Sequence, residues 1–132
     1  MKELTLKELQ MFSLDILKDV HHFCDKENIR YSLAYGTLIG AIRHQGYIPW
    51  DNDIDIYMPR PDYERFIRTY KSEKFQLAFF GNKCKFDSLI AYARVFDNKE
   101  TISKGAHWIA EPAGVWIDIF PLDDWIKDGA QD

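Results

Sequence analysis

The sequence predicts an α+β domain, a mixed β-sheet flanked by helices, and three observations carry that expectation. Residues 4–28 repeat apolar side chains at helical spacing. Residues 53–58 alternate strictly between two faces, as a half-buried strand does. Beyond them, short apolar runs are separated by turn-forming pairs, a pattern of several strands.

In order along the chain, Leu6, Leu9, Ile16, Val20 and Phe23 line one face of the first helix, with Lys, Asp and Glu between them. Thr5 and Glu8 match a capping box at its start, and Asn28 is a stop signal. Residues 30–35 read as a short strand, and 38–43 as a short helix after the break at Gly36-Thr37. Gly46 and Pro49 make 44–50 a loop. The strand 53–58 is closed by Pro59, and a helix follows over 61–70 with Pro61 in its first turn and Tyr63, Phe66, Ile67 and Tyr70 on its apolar side. Strands are expected over 75–80, 88–96 and 114–122, split by Gly81-Asn82, Asp97-Asn98 and the Gly105 region.

With 132 residues, the chain is expected to be one domain, 1–132, without linker or repeat: an N-terminal amphipathic helix over 1–28 and a core over 29–125. A hydrophobic fraction of 46% is enough for a packed core and argues against disorder. Lys and Arg total 17 against 21 Asp and Glu, and a net charge of −4 is unsuited to a nucleic-acid polymer. No apolar run is long enough to span a membrane, and the N-terminus lacks the pattern of a secretory signal. Cys24 and Cys84 form no CxxC pair, so a reduced, cytosolic protein without structural zinc is expected.

Asp53 and Asp55 stand two apart on a strand, so both carboxylates leave one face while Ile54 and Ile56 enter the core. Two like charges side by side make sense around a divalent cation, since Mg²⁺ takes hard oxygen ligands and often only one or two carboxylates. An exposed edge strand, guarded by acids, would explain the same pattern. Gly36 and Thr37 form a turn into a helix, where free amides and a close backbone approach suit a phosphate; alternatively Thr37 is an ordinary N-cap. Asp118 interrupts a strongly apolar strand, which is costly unless it is paired, to Arg43 or Arg94, or bound to a cation. Taken together, a phosphate turn and three carboxylates are the parts of metal-assisted phosphoryl or nucleotidyl transfer.

The stretch Leu33-Ala-Tyr-Gly-Thr-Leu-Ile-Gly-Ala-Ile-Arg-His-Gln-Gly-Tyr-Ile-Pro-Trp-Asp-Asn-Asp-Ile-Asp-Ile56 closely resembles the signature of the LicD family, bacterial phosphorylcholine transferases related to fukutin and fukutin-related protein. Val115-Trp-Ile-Asp-Ile-Phe-Pro-Leu122 resembles the family's second block, and Ala93-Arg-Val-Phe-Asp-Asn-Lys-Glu-Thr101 its intervening strand and turn. The likeness runs from about Asn28 to Trp125. It implies a nucleotidyltransferase-like fold, with Asp53, Asp55 and Asp118 as the catalytic and metal-holding acids for Mg²⁺ or Mn²⁺. Gly36 and Thr37 would bind the donor's phosphate, helped by Arg43 and Arg94. Asp118 would hold a second metal or accept a hydroxyl proton. The implied reaction moves a phospho-alcohol, such as phosphocholine, from a CDP-activated donor to a sugar hydroxyl of a glycan or its lipid-linked precursor. The setting is the cytoplasmic face of the membrane, without a transmembrane segment and with an oligomer open.

A nucleotidyltransferase using the same acids and a non-catalytic binding module are the other readings. Asn52 and Arg94 depart from the family's usual Asp and Lys, and family enzymes usually continue well past the second block, so the chain reads as shortened at its C-terminal end. Of the remaining polar and aromatic residues, His44 ranks below Arg43 as a phosphate contact. His21, His22 and His107 lack metal-ligand spacing. Trp50 can stack on a base or a choline headgroup or anchor its loop by burial, while Trp108, Trp116 and Trp125 read as core or as a surface vacated by a missing C-terminal part.

Overall fold

The computed structural model describes residues 4–49, 53–79, 92–97 and 114–123. Asn52, Trp50, Cys84, His107, Trp108 and Trp125 lie outside them, as do the outer parts of the strands expected over 75–80 and 88–96. The described elements are α1 (Leu6–Glu27), β1 (Ser32–Leu33), α2 (Tyr35–Arg43), β2 (Asp55–Pro59), α3 (Arg60–Thr69), β3 (Gln76–Ala78), β4 (Ala93–Phe96) and β5 (Trp116–Leu122). The strands form one mixed sheet in the order β1-β2-β5-β4-β3. Only β2 and β5 run parallel among these pairs; the other three are antiparallel. The α+β expectation is met, and the sequence boundaries shift in instructive ways.

α1 begins as its sequence requires. The Thr5 side chain accepts from the Glu8 amide, and Glu8 returns a bond from its carboxylate to the Thr5 amide. It ends at Asn28, which takes the left-handed conformation with φ 56°. Arg65 of α3 then donates to the carbonyls of Glu27 and Asn28, using a cation to satisfy the last acceptors of α1.

One face of the sheet is dry. Ile56, Met58, Val95, Ile117 and Ile119 are fully buried there, beneath Ile16 and Val20 of α1 and Phe66 of α3. Phe66 stacks on Tyr70 with ring centroids 4.8 Å apart, and Phe23 meets both rings edge-on. Burying a side chain of this size is worth about 1.5–3 kcal/mol, so the α1–α3 contact is a main source of stability. Cys24 lies in the same core, and burial, aided by the charge of Asp62, pushes its thiol up to about 12, leaving no reactive thiolate.

Two junctions hold the helices at the ends of this layer. Asp62, buried in the first turn of α3, accepts from the Arg30 amide at 2.7 Å and from its guanidinium at 2.8 Å. These hydrogen bonds hold the Asp62 carboxyl below its ordinary range, against the opposing effect of burial. A carboxyl with a lowered folded pKa stabilises above its unfolded value, about 3.9, and that contribution is lost as pH falls through the folded value. Chemical denaturation of the Asp62→Asn protein between pH 5 and about pH 2 is therefore expected to show lower stability at pH 5 and a flatter acid limb than the parent. Parallel acid limbs would remove Asp62 from this role.

The second junction is a close approach. A Cβ on Gly40 of α2 would lie 2.4 Å from the Gly46 carbonyl oxygen and 3.0 Å from the Ile48 amide nitrogen. Helix propensity favours Ala over Gly by about 1 kcal/mol. Here sterics oppose it, because the atoms in the way are backbone. The Gly40→Ala protein is expected to lose about 1–3 kcal/mol in a denaturant titration. A gain would show that the loop moves freely.

Several sequence boundaries are corrected. The strand expected over 30–35 is reduced to Ser32–Leu33, because Tyr35 already starts α2, three residues before the expected helix start at Leu38. Thr37 is not an N-cap: that position is Ala34, which offers no capping side chain, and Thr37 lies inside the helix. Asp53 precedes β2, which begins at Asp55 and runs through Pro59. Pro59 precedes α3 directly, and Arg60 is the first residue of that helix.

Candidate active site

The opposite face of the sheet carries the charged residues. β2 and β5 pair in parallel with Asp55 opposite Asp118, and β4 pairs with β5 so that Arg94 is also opposite Asp118. Asp55, Asp118 and Arg94 thus form a charged row across three strands. Two residues along each strand, Tyr57 is opposite Phe120, and Tyr92 lies against Phe120 with centroids 4.4 Å apart. An aromatic row therefore runs beside the charged one.

The charged row is tightly held. Arg94 Nε donates to Asp118 Oδ1 at 2.5 Å, and the two side chains are only 12% and 15% exposed. The Arg94 guanidinium sits over the Trp116 ring, 4.6 Å from its centroid, and over Tyr92 at 5.6 Å. Arg94 also donates to the Tyr92 hydroxyl at 3.3 Å. Of the two structural partners weighed for Asp118, Arg94 is the one found. Burial pushes the Asp118 carboxyl above its ordinary range, against the pull of Arg94 and of a hydrogen bond shared with Asp55.

Thr37 fixes the other acid. Its hydroxyl accepts from the Asp55 amide at 2.8 Å and donates to the Asp53 carbonyl at 3.4 Å. The Ala34 amide donates to the Asp55 carbonyl at 2.9 Å. The start of α2 is thereby clamped to the start of β2, placing the helix N-terminus beside the acids. Ala34 contributes no capping side chain, so the first-turn amides of α2 keep their capacity to bind an anion.

Next to Asp53, Gly36 and Thr37 line a cavity of 290 Å³ that is otherwise mostly apolar, with Leu14, Leu17 and Tyr47 in its wall. Tyr47 anchors that wall by donating to the Gln10 carbonyl at 2.8 Å.

The expected site residues thus fall into groups. Asp55, Asp118 and Arg94 meet; Gly36 and Thr37 stand at the helix end beside them. Asp53 is exposed ahead of the strand. Arg43 and His44 are exposed at the far end of α2, with Arg43 about 9 Å along the axis from Thr37. His21 and His22 are exposed on α1, and His21 Nδ1 bonds the Tyr31 hydroxyl at 2.8 Å.

Among the described residues, no three His, Cys, Asp or Glu form a group that could hold a metal ion by themselves. A pair does converge, and a pair fits Mg²⁺, whose remaining ligands are commonly water and phosphate oxygens. Two apposed carboxylates, one of them poorly exposed, repel each other unless a proton or a cation lies between them.

Residue-by-residue reading missed the aromatic row and the Tyr35 ring above it. Tyr35 packs 5.6 Å from Tyr57 and 5.5 Å from Phe120, centroid to centroid. The available signal was the two-residue step from Asp55 to Tyr57, from Asp118 to Phe120 and from Tyr92 to Arg94.

The family described as LicD/FKTN/FKRP, nucleotidyltransferase domain, matches residues 28–127. The chain belongs to this family. The LicD lipopolysaccharide cholinephosphotransferase of Haemophilus influenzae is 40% identical over 127 residues, covering 93% of this chain and 46% of that protein. Uncharacterized proteins of Rickettsia typhi and Rickettsia prowazekii are 44% and 46% identical over 62 and 56 residues, each alignment covering 20% of the relative. The chain therefore spans less than half the length of these relatives. α1 precedes the part matched by the LicD family, yet its apolar face builds the core beneath the site. No helix among the described residues is long and apolar enough to cross a membrane.

Proposed function

We propose that this chain carries the catalytic core of a metal-dependent phosphotransferase, moving phosphocholine from CDP-choline to a sugar hydroxyl of a cell-surface glycan or its lipid-linked precursor. The observation that supports the reading most is the register that sets Asp55 opposite Asp118 beside the open N-terminus of α2, in a LicD-family chain. Asp55 and the second oxygen of Asp118 would hold Mg²⁺, with Asp53 as the further carboxylate. When bound, the ion would neutralise charge on the phosphate oxygens.

The chain's own groups do the rest. The first-turn amides of α2, at Gly36 and Thr37, bind the donor's phosphate, and the Thr37 hydroxyl holds Asp55 in position through its amide. Arg94 occupies Asp118 Oδ1 and so fixes the direction of the remaining oxygen. The acceptor hydroxyl oxygen attacks the phosphorus that carries choline, the bond to the CMP phosphate breaks, CMP leaves, and the hydroxyl proton passes to solvent. Work at the cytoplasmic membrane face would be by peripheral association.

Isothermal titration with CDP-choline, with and without Mg²⁺, tests the reading. Binding that requires the metal and disappears in an Asp53→Ala/Asp55→Ala protein is expected; metal-independent binding or none would overturn it. The family's description as a nucleotidyltransferase domain favours one alternative, transfer of the nucleotide itself. Release of CMP indicates phosphocholine transfer, and release of pyrophosphate from CTP indicates the alternative.

A further inference from the structure

We infer that Tyr35, Tyr57 and Phe120 form a recognition site for a trimethylammonium group, beside the two carboxylates. On this face of the sheet the Tyr35 ring lies against both of the others. Tyr57 and Phe120 are cross-strand neighbours on parallel strands, and Tyr35 closes over both from the first residue of α2, at 5.6 Å and 5.5 Å. Tyr92 lies against Phe120, with centroids 4.4 Å apart.

Exposure makes the arrangement specific. Tyr35 is 56% exposed, although its ring touches two others, so it presents aromatic surface to solvent instead of filling the core. Its backbone is held at φ 48°, a left-handed conformation that a bulky side chain rarely adopts. The clamp between Ala34 and Asp55 holds the chain on one side of it. A conformation of this cost persists where surrounding structure enforces it, and here it directs the ring over Tyr57 and Phe120.

The occupant follows from charge. Ring faces carry negative potential and attract cations, and a quaternary ammonium, having no N–H to satisfy, is the cation best suited to an aromatic enclosure. Asp55 lies two residues from Tyr57, a strand step of about 6.6 Å, and adds a negative field. Phosphocholine separates phosphate from ammonium by one oxygen and two methylenes, a span on the scale of that step. A phosphate at the α2 N-terminus and acids would thus place the ammonium among the rings. That assignment of the occupant rests on the donor reading proposed above, whereas the site for trimethylammonium rests on the rings alone.

The test separates the two by using the tetramethylammonium ion as one probe and CDP-choline as the other. Titration of the protein with tetramethylammonium chloride, followed by proton NMR, is expected to shift the methyl resonance upfield through ring currents and to perturb the three aromatic spin systems. Tyr35→Leu should weaken this binding at least about 3-fold, and Tyr35→Phe should keep it, since the ring face is what acts. Because Tyr35 is exposed, both variants should fold, which circular dichroism verifies. Tetramethylammonium that fails to bind, or binds Tyr35→Leu as well as the parent, overturns the site. In the second arm the parent should prefer CDP-choline over CDP-ethanolamine about 10-fold or more, and Tyr35→Leu should reduce that preference while leaving CMP affinity unchanged. If tetramethylammonium binds through Tyr35 but CDP-choline does not bind at all, the donor reading falls and the ammonium site stands.

Discussion

Asp55→Asn is expected to fold as stably as the parent and, under the proposed function, to slow phosphocholine transfer about 10³-fold. The substitution keeps the shape of the side chain and leaves untouched the backbone bonds that hold position 55, from its amide to Thr37 and from the Ala34 amide to its carbonyl. What it removes is one of two carboxylates opposed across the parallel strands. For the fold, that loss relieves repulsion between like charges. For the proposed reaction, it removes one of the three carboxylates that would hold a cation worth several kcal/mol of transition-state stabilisation, and each 1.36 kcal/mol is tenfold in rate. Activity and denaturation measured on the same preparation check both halves. A variant that keeps its rate within tenfold would sink the assignment, and one that unfolds would show Asp55 to be structural.

Arg94→Ala should behave in the opposite way, losing about 3 kcal/mol of stability. Its guanidinium is the countercharge for a carboxylate that has little access to water, and it fills the space between Trp116 and Tyr92. Truncation strands Asp118 in a poorly solvated place, where it must take up a proton, and leaves the two rings facing a void. Arg94→Lys should recover only part of the loss, because an ammonium keeps the charge but neither the fork nor the flat stacking surface. Urea titrations of the three proteins rank them. Equal midpoints for Arg94→Ala and the parent would mean that solvent already screens the pair.

The particular residues explain how far the sequence could be read. The capping box at Thr5 and Glu8, the stop at Asn28 and the alternation of Ile54, Ile56 and Met58 are local signals, and each is realised. The acids Asp55 and Asp118 were legible as residue types, because a charge amid apolar neighbours is costly without a partner. Their apposition was not legible, since the register of a parallel pair is settled by strands far apart in the chain. The start of α2 at Tyr35 was hidden because its positive φ goes against the residue's own preference. Arg30 and Asp62 were missed for the same reason as the strand register: nothing in either local segment announces the other.

The place of β5 has a kinetic meaning. It lies between β2 and β4, both of which precede it in the chain. Until it docks, β1–β2 and β3–β4 can exist only as two separate ribbons, each with an open edge that could recruit another chain. Closing the long connection to β5 carries a loop-closure cost that non-local pairing must meet before it stabilises the sheet. Asp118 arrives on that same strand, so the carboxylate pair and the continuous sheet come into being together. A ribosome-bound chain that has not yet released β5 holds two ribbons in place of one sheet, and the carboxylate pair waits on the completion of folding.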